Sequence, residues 1–398
     1  MTTLSPDTQA TLLLIGKFTK AADVEPLSGA EYNKLAMQLV KLNLRPADML
    51  QKLPEDLVFD TERLKVLMER GTALALAVER WSQLGIKIIG RGDDQYPSRL
   101  KAKLRGRAPP ILYCAGNLDL LKSESVCVVG SRNASETGLR FAKNLGARCA
   151  SVGLNVVSGD ARGIDRAAMD STINAGGNVT AVLVDALAKL VLAKRNRDPI
   201  KSGNLILVSP YDPDSGFTVA KAMDRNKYMY ALGSAAIVVD SETKGGTWTG
   251  AIENQKQQWT QAFVRMDKHV ALGNKRLVEM GLLPIDGAQG EVPENLREVL
   301  FATYQKQSPQ LDLRTSKSTQ FASDVQPSET SLFKVFLDLL EKWLAEGPQT
   351  DLAIAEHFCL EINQVVVWLN KAKNMGVVLE LSEPKRFASK NEIARPSE

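Results

Sequence analysis

The chain is 398 residues long, carries a formal net charge of +4 and contains 44% hydrophobic and 24% charged residues. This composition is typical of a soluble globular protein, and the length permits more than one domain. The mild positive charge is compatible with nucleic acid but does not by itself indicate it. The four cysteines form no Cys-x-x-Cys pair and there are only two histidines, which excludes a readable disulfide framework or zinc site. No metal or cofactor is therefore indicated.

The sequence also contains no signal for export or membrane insertion. No segment approaches the ~18 consecutive apolar residues of a membrane span. The first ten residues lack the charged and apolar regions of a signal peptide. We therefore expect a cytoplasmic protein without a membrane partner.

Residues 1–79 are predicted to form a helical domain. Leucine and alanine recur at helical spacing over Thr11–Phe18, Tyr32–Leu42 and Thr61–Trp81. Ser28 followed by Glu31 is typical of a capping box. This part contains no catalytic constellation and is interpreted as an accessory domain.

Residues 80–302 are predicted to form an α/β domain, a Rossmann-like doubly wound parallel sheet. A short apolar run, Val126–Val129, is followed by a glycine turn and then by a helical pattern. A second apolar run, Leu154–Val157, again meets a glycine turn. This is the pattern of a βαβ unit. Further strands are expected over Val179–Val184, Leu205–Val208, Ala235–Val239 and Ala262–Met266, with helices between most of them.

The remainder is predicted to be a flexible linker over 303–330 and a winged helix-turn-helix domain over 331–390. The linker is polar and lacks periodicity. Three helical patterns and a β-hairpin pattern follow within a short span. The third helix would be the recognition helix, with Asn363, Gln364, Asn370, Lys371 and Lys373. A protein-binding module is the alternative.

Four segments at the expected carboxyl edge of the sheet have the composition of a phosphate site. Glycines allow backbone N–H groups to approach an anion, and arginine can bind phosphate through two hydrogen bonds. The segment around Arg225 is expected just before a helix. Trp248 could stack on a base or pack beneath its loop. The residues predicted to bind nucleic acid or phosphate are Gly130, Ser131, Arg132, Asn133, Ser158, Gly159, Arg162, Gly163, Arg225, Asn226, Lys227, Lys244, Gly245, Gly246, Thr247, Trp248 and Thr249.

The order of these motifs resembles the DprA/Smf family of DNA-processing proteins. The resemblance covers Trp81–Arg265 and rests on the segments GSRNAS, VVSGDARGID and DRNKYMYALGSAAIVVDSETKGGTWTGA. It implies a Rossmann-like domain that binds single-stranded DNA in a basic groove and handles incoming DNA. It also implies a RecA-type recombinase as partner and a homodimer. The residues that the resemblance itself places in the phosphate cradle are Gly130, Ser131, Arg132, Gly159, Arg162, Gly163, Arg225, Asn226, Lys227, Gly246 and Thr247.

Three carboxylates depart from the family pattern: Asp160, Asp185 and Glu253. A carboxylate beside a phosphate is electrostatically unfavourable, so each needs a structural or a functional explanation. Asp160 could pair with Arg162 or Arg132. The functional alternative is an N-glycosidase that excises a base from DNA or a nucleotide, for example in defence against phage. Such chemistry needs a carboxylate to activate water or to stabilise an oxocarbenium-like centre. A nucleotide-sensing regulator is a third possibility.

Overall fold

The computed structural model describes residues 4–17, 24–305, 336–337, 340–341, 343–345, 347–357, 362–381 and 386–389. The chain divides into two compact units, Met1–Gln310 and Leu311–Glu398. Residues 303–305 of the expected linker end a helix of the first unit, and residues 306–330 lie outside the described residues.

The first unit is built on a nine-stranded sheet with the order β1-β2-β6-β5-β4-β3-β7-β8-β9. Its strands are β1 (Lys87–Gly90), β2 (Ile111–Gly116), β3 (Ser125–Val129), β4 (Asn155–Ser158), β5 (Val179–Val182), β6 (Leu205–Ser209), β7 (Ala235–Val238), β8 (Ala262–Met266) and β9 (Leu283–Asp286).

Seven of these strands are parallel, but β1 is antiparallel to β2, and β2 is antiparallel to β6. The predicted doubly wound parallel sheet is therefore present, with two antiparallel strand pairs added at this end. The reason lies in the connection from β2 to β3, which spans only residues 117–124. A parallel crossover over a sheet face needs about a dozen residues or more. Because β2 runs in the opposite direction, it ends at the sheet edge where β3 begins, and a short segment can join them.

Helices cover both faces of the sheet. They are α1 (Pro6–Ile15), α2 (Gly29–Lys41), α3 (Thr61–Met68), α4 (Gly71–Gln83), α5 (Ser98–Leu104), α6 (Glu136–Ser151), α7 (Ile164–Asn174), α8 (Leu187–Leu192), α9 (Lys194–Lys201), α10 (Val219–Leu232), α11 (Gly246–Gln257), α12 (Leu272–Glu279) and α13 (Leu296–Gln305). Short 3-10 turns occur at Pro46–Leu50, Arg105–Arg107, Leu118–Leu121 and Ala288–Gly290. No helix in the described part of the chain is long and apolar enough to cross a membrane.

Among the amino-terminal helices, α1 and α4 contribute to the core of the sheet, whereas α2 and α3 pack around a separate buried cluster. Ser28 and Glu31 form the expected capping box at the start of α2. The single helix expected over Thr61–Trp81 is interrupted between α3 and α4, because Arg70 leaves the helical conformation there. Its guanidinium Nη1 instead donates to the carbonyl oxygen of Gly16 at 3.0 Å.

Two buried clusters lie on opposite faces of the sheet. Val126 and Val128 of β3 contribute to one cluster, and Cys127 and Val129 contribute to the other. This alternation follows from the two-residue period of a strand buried on both faces. Leu12 of α1 belongs to the first cluster, so this helix packs directly on the sheet.

The second unit contains α14 (Asp351–His357), α15 (Ile362–Asn374) and a hairpin of β10 (Val378–Leu381) and β11 (Arg386–Ser389). Leu340, Ile354, Leu369 and Phe387 lie in its core. The backbone of Gln349 pairs with that of Phe387, through hydrogen bonds of 2.7 and 3.0 Å. A winged helix remains a prediction for this unit. The side chains of Asn363 and Gln364 lie outside the described residues, and Asn370, Lys371 and Lys373 lie on α15.

Candidate nucleic-acid interface

A cleft of about 410 Å³ opens at the carboxyl edge of the parallel strands. It lies among the loops that follow β3, β4 and β7 and the exposed side of α10. Its lining residues are Val129, Gly130, Ser131, Arg132, Ala161, Asp165, Phe217, Val219, Ala222, Met223, Arg225, Asn226, Met229, Tyr230, Glu242, Lys244, Gly245, Gly246 and Thr247.

About half of the predicted phosphate-binding residues line this cleft. Those that line it are Gly130, Ser131, Arg132, Arg225, Asn226, Lys244, Gly245, Gly246 and Thr247. Those that do not are Asn133, Ser158, Gly159, Arg162, Gly163, Lys227, Trp248 and Thr249.

The loop after β3 is held in place by Asp240 at the end of β7. The N–H of Ser131 donates to the carbonyl oxygen of Asp240 at 2.8 Å. The Asp240 carboxylate accepts from both the N–H and the hydroxyl of Ser135, each at 2.9 Å. Ser135 in turn caps α6 by accepting from the N–H of Gly138 at 3.1 Å. The loop therefore presents Arg132 from a fixed backbone.

Arg132 lies exposed at the tip of this loop. Its guanidinium carbon is 6.0 Å from the ring centroid of Phe217, a residue that is 47% exposed on the opposite wall. Within the described residues Arg132 forms no ion pair, so its hydrogen-bond donors are available to a ligand. Phe217 stands alone in a polar segment, and no periodic pattern in the sequence indicates a role for it.

Two glycines serve close packing. Gly163 has a φ of +84°, and a Cβ atom on it would lie 2.4 Å from the carbonyl oxygen of Ser131. The loop after β4 therefore packs directly on the loop after β3. The N–H of Gly159 donates to the buried Asp165 carboxylate at 3.2 Å. This N–H therefore has a partner inside the protein, and a role for Gly159 in binding an anion stays a prediction.

Arg225 forms part of the cleft floor and is only 5% exposed. It lies inside α10, whereas the sequence pattern placed it before a helix. The Nη1 atom donates to the carbonyl oxygen of Val182 at 3.3 Å and contacts the sulfur of Met229 at 3.0 Å. Its Nε atom is buried without a partner among the described residues.

Asp165 is a buried lining residue that the sequence analysis missed. Burial raises the pKa of its carboxyl group, and the positive charge of Arg225 opposes that rise. Burial also lowers the pKa of Arg225, which nevertheless begins from a value high enough to keep the guanidinium protonated. The sequence signal was its spacing, since Asp165 falls next to Ile164 and three residues before Ala168, on the apolar side of the expected helix.

The loop after β7 brings the start of α11 to the cleft. Gly245, with a φ of +90°, precedes α11, and no described side chain caps the first N–H groups of this helix. Uncapped N–H groups at a helix N-terminus favour anions. Asn226 fixes this end of α11 by donating to the carbonyl oxygen of Gly246 at 3.1 Å. Lys244 is exposed on the same loop.

Lys227 and Trp248 are directed elsewhere. Lys227 forms an ion pair with Asp224 and lies 5.0 Å from the ring centroid of Tyr228. The hydroxyl of Tyr228 also donates to Asp224, at 3.1 Å. Trp248 packs against the core on this face of the sheet. This contact favours the interpretation in which Trp248 packs beneath its loop over the one in which it stacks on a base.

None of the three unusual carboxylates lines the cleft. Asp160 pairs with Arg166 and Arg195, each at 2.6 Å, rather than with Arg162 or Arg132. Its side chain is 11% exposed, and burial raises its pKa to about 6 despite the nearby Arg166.

The other two carboxylates have local contacts. Asp185 is exposed and accepts from the N–H of Ala186 at 2.8 Å. Glu253 lies 3.8 Å from Arg107. A catalytic role for Asp160, Asp185 or Glu253 stays a prediction. Within the described residues, no group of three or more His, Cys, Asp or Glu side chains is arranged to hold a metal ion.

Residues 87–288, about half of the chain, match the family model described as DNA recombination-mediator protein A. The chain belongs to this family. The match confirms the DprA/Smf resemblance.

Two curated relatives illustrate how far the similarity extends. The chain is 34% identical over 157 residues to DNA processing protein DprA of Streptococcus pneumoniae, covering 39% of this chain and 54% of that protein. It is 30% identical over 176 residues to protein Smf of Synechocystis, covering 42% of this chain and 43% of that protein. The chain thus spans about half the length of the curated relatives it matches.

The fold is also that of a solved member of the family. The X-ray structure of DprA from Streptococcus pneumoniae is similar with a TM-score of 0.52 and 22% identity. The similarity covers 68% of this chain and 98% of that structure. It confirms a Rossmann-like α/β fold with a large, mostly parallel sheet.

Proposed function

We propose that this chain is a DNA-processing protein that binds single-stranded DNA in the cleft. The names of its relatives support a role in DNA processing, and the residues of the cleft support the type of ligand. The observation that carries the proposal is the convergence of Arg132, Arg225 and the uncapped start of α11 on one cleft. These groups suit the phosphate backbone of a nucleic acid.

The charge balance of the cleft is positive but modest. Among the described residues that line it, the cationic side chains are Arg132, Arg225 and Lys244, against the carboxylates of Asp165 and Glu242. Asp165 is buried and already accepts a hydrogen bond from Gly159. Arg225 is buried as well, so the charged side chains that reach the solvent are Arg132 and Lys244 against Glu242, a balance that still favours an anionic ligand.

The apolar wall of the cleft favours a single strand over a duplex. Phe217, Val219 and Met223 line it and are all exposed to solvent. An unpaired base can stack on an aromatic ring, whereas the bases of a duplex are stacked on each other. Arg132 and Phe217 together offer a donor for a phosphate and a ring for the adjacent base.

The proposed partners beyond DNA are a RecA-type recombinase and a second copy of the chain, and the proposed place of action is the cytoplasm. These parts of the proposal are supported only by the family resemblance. A base-excising activity has less support, because Asp160, Asp185 and Glu253 do not line the cleft.

The test is binding of a fluorescent oligothymidylate by the purified chain, measured by anisotropy. Arg132→Ala should weaken binding about tenfold, because a hydrogen bond to a charged group contributes roughly 1.5–3 kcal/mol. Lys143→Ala is the matched control, since it removes an exposed cation on α6 that does not line the cleft. Equal affinity of the wild type and Arg132→Ala would overturn the proposal.

A further inference from the structure

A basic segment lies next to the cleft and takes no part in the site described above. Between Asp185 and Lys201 the chain has five basic residues, Lys189, Lys194, Arg195, Arg197 and Lys201, and only Asp185 and Asp198 as acidic ones. All five basic side chains are exposed. Four of them belong to α9, and Lys189 belongs to α8.

The start of α9 is attached to one lip of the cleft. Ala161 lines the cleft on this side, and the preceding residue, Asp160, forms an ion pair with Arg195 at 2.6 Å. Arg162, next along this loop, is exposed. A DNA strand that leaves the cleft over this lip would therefore contact Arg162 first and then the beginning of α9.

Hydrogen bonds from side chains to backbone carbonyl oxygens hold α9 in position. The amide of Asn196 is buried and donates to the carbonyl oxygen of Leu190 at 2.8 Å. The Nε atom of Arg197 donates to the carbonyl oxygen of Leu192 at 3.0 Å. Within the described residues, neither Lys194 nor Arg197 forms an ion pair, so their charges remain available.

The cleft alone can enclose only a short piece of a DNA strand. Its volume of about 410 Å³ lies near the lower end of small-molecule sites, which span roughly 300–1,000 Å³. The phosphates beyond it must lie on the surface, where exposed lysine and arginine side chains bind a backbone without regard to sequence.

We propose that the first turn of α9 presents Lys194 and Arg197, three residues apart on one side of the helix, as a second backbone-binding surface for the DNA strand that leaves the cleft over the Ala161–Arg162 lip. This inference rests on the proposed function. Arg195 anchors this surface, because its pairing with Asp160 holds the start of α9 at the lip of the cleft. The exposed carboxylate of Asp198 lies on the same helix and limits the gain in affinity.

The experiment compares a trinucleotide with a long oligothymidylate across a series of salt concentrations. The test variant carries Lys194→Gln and Arg197→Gln together, which leaves Asp160 and Arg195 intact. The control is Lys201→Gln, an exposed lysine at the far end of the same helix, where the chain turns toward the start of β6. Thermal unfolding of each variant checks that the fold is retained.

We expect the double variant to bind the long strand at least several-fold more weakly. The slope of log affinity against log salt should become shallower by about 1.4, since each phosphate contact to a single strand contributes ~0.7. Binding of the trinucleotide should be unchanged, and the control should match the wild type on both ligands.

Three results would overturn the inference. An unchanged salt slope for the long strand would show that α9 touches no phosphate. Equal losses for the trinucleotide and the long strand would place the effect in the cleft. Equal losses in the Lys201→Gln control would indicate a general effect of charge. If Arg132→Ala weakens binding while the double variant does not, only this inference fails; if the wild type binds neither ligand, the proposed function fails with it.

Discussion

The guanidinium of Arg225 occupies the space beside Gly159 that any larger residue would need. A Cβ atom on Gly159 would lie 1.2 Å from Arg225 Nη1. The floor of the cleft therefore depends on a glycine that does not line it. This contact joins the loop after β4 to α10.

We predict that Gly159→Ala displaces Arg225 from the cleft floor. The new methyl group cannot share the space of the guanidinium, and overpacking of this kind costs about 1–3 kcal/mol. Urea unfolding should show that loss in the free energy of unfolding, and anisotropy should show weaker binding of oligothymidylate. Gly106→Ala is the control, because a Cβ atom on Gly106 would have no other atom within 4 Å. A Gly159→Ala variant with wild-type stability and affinity would contradict the prediction.

Replacement of Asp160 separates a structural role from a catalytic one. Asp160→Asn suits the test because φ is +57° at this position, which asparagine tolerates. If the carboxylate only pairs with Arg166 and Arg195, the variant should lose about 1–2 kcal/mol in the free energy of unfolding, a figure reduced for the partly exposed arginines. Neither wild type nor variant should release a free base from DNA. Base release by the wild type that disappears in Asp160→Asn would instead support the N-glycosidase alternative.

Stability should depend on pH through Asp212, in the loop between β6 and α10. Burial raises the pKa of its carboxyl group to about 6, and its Oδ2 atom has no hydrogen-bond partner among the described residues. Aspartate in the unfolded chain has a pKa of ~3.9, so the folded state holds the proton more tightly. The stability that this proton contributes is therefore complete below pH ~4 and is lost as the pH rises through about 6.

The measurement is the free energy of unfolding of wild type and Asp212→Asn between acidic and neutral pH. The wild type should lose roughly 1–3 kcal/mol relative to the variant as the pH rises through this window. Asp94→Asn serves as the control, since Asp94 is an exposed aspartate in a turn. The prediction is refuted if the stability of the wild type relative to Asp212→Asn stays constant or increases as the pH rises.

Local sequence patterns were sufficient to predict the strands whose carboxyl ends lie at the cleft. The apolar runs before the two glycine turns became β3 and β4, at Ser125–Val129 and Asn155–Ser158. Short apolar runs followed by glycine carry this information because both faces of these strands are buried. The same motifs, read in order, were enough to indicate the family.

Patterns failed where the chain direction or a helix end depends on distant contacts. The antiparallel course of β2 follows from where β3 begins, not from the composition of Ile111–Gly116. Likewise, the helical periodicity continues on both sides of Arg70, so the sequence pattern could not reveal the break between α3 and α4.

The sequence by itself determined that cations and glycines gather at the ends of parallel strands, since strand and turn patterns are local. Only the tertiary structure decided which of them face the ligand. Arg225 and Lys227 are two residues apart on α10, and successive residues of a helix turn by about 100°. Their side chains therefore leave the helix in nearly opposite directions. Packing of α10 against the sheet buries Arg225 at the cleft floor and leaves Lys227 to pair with Asp224.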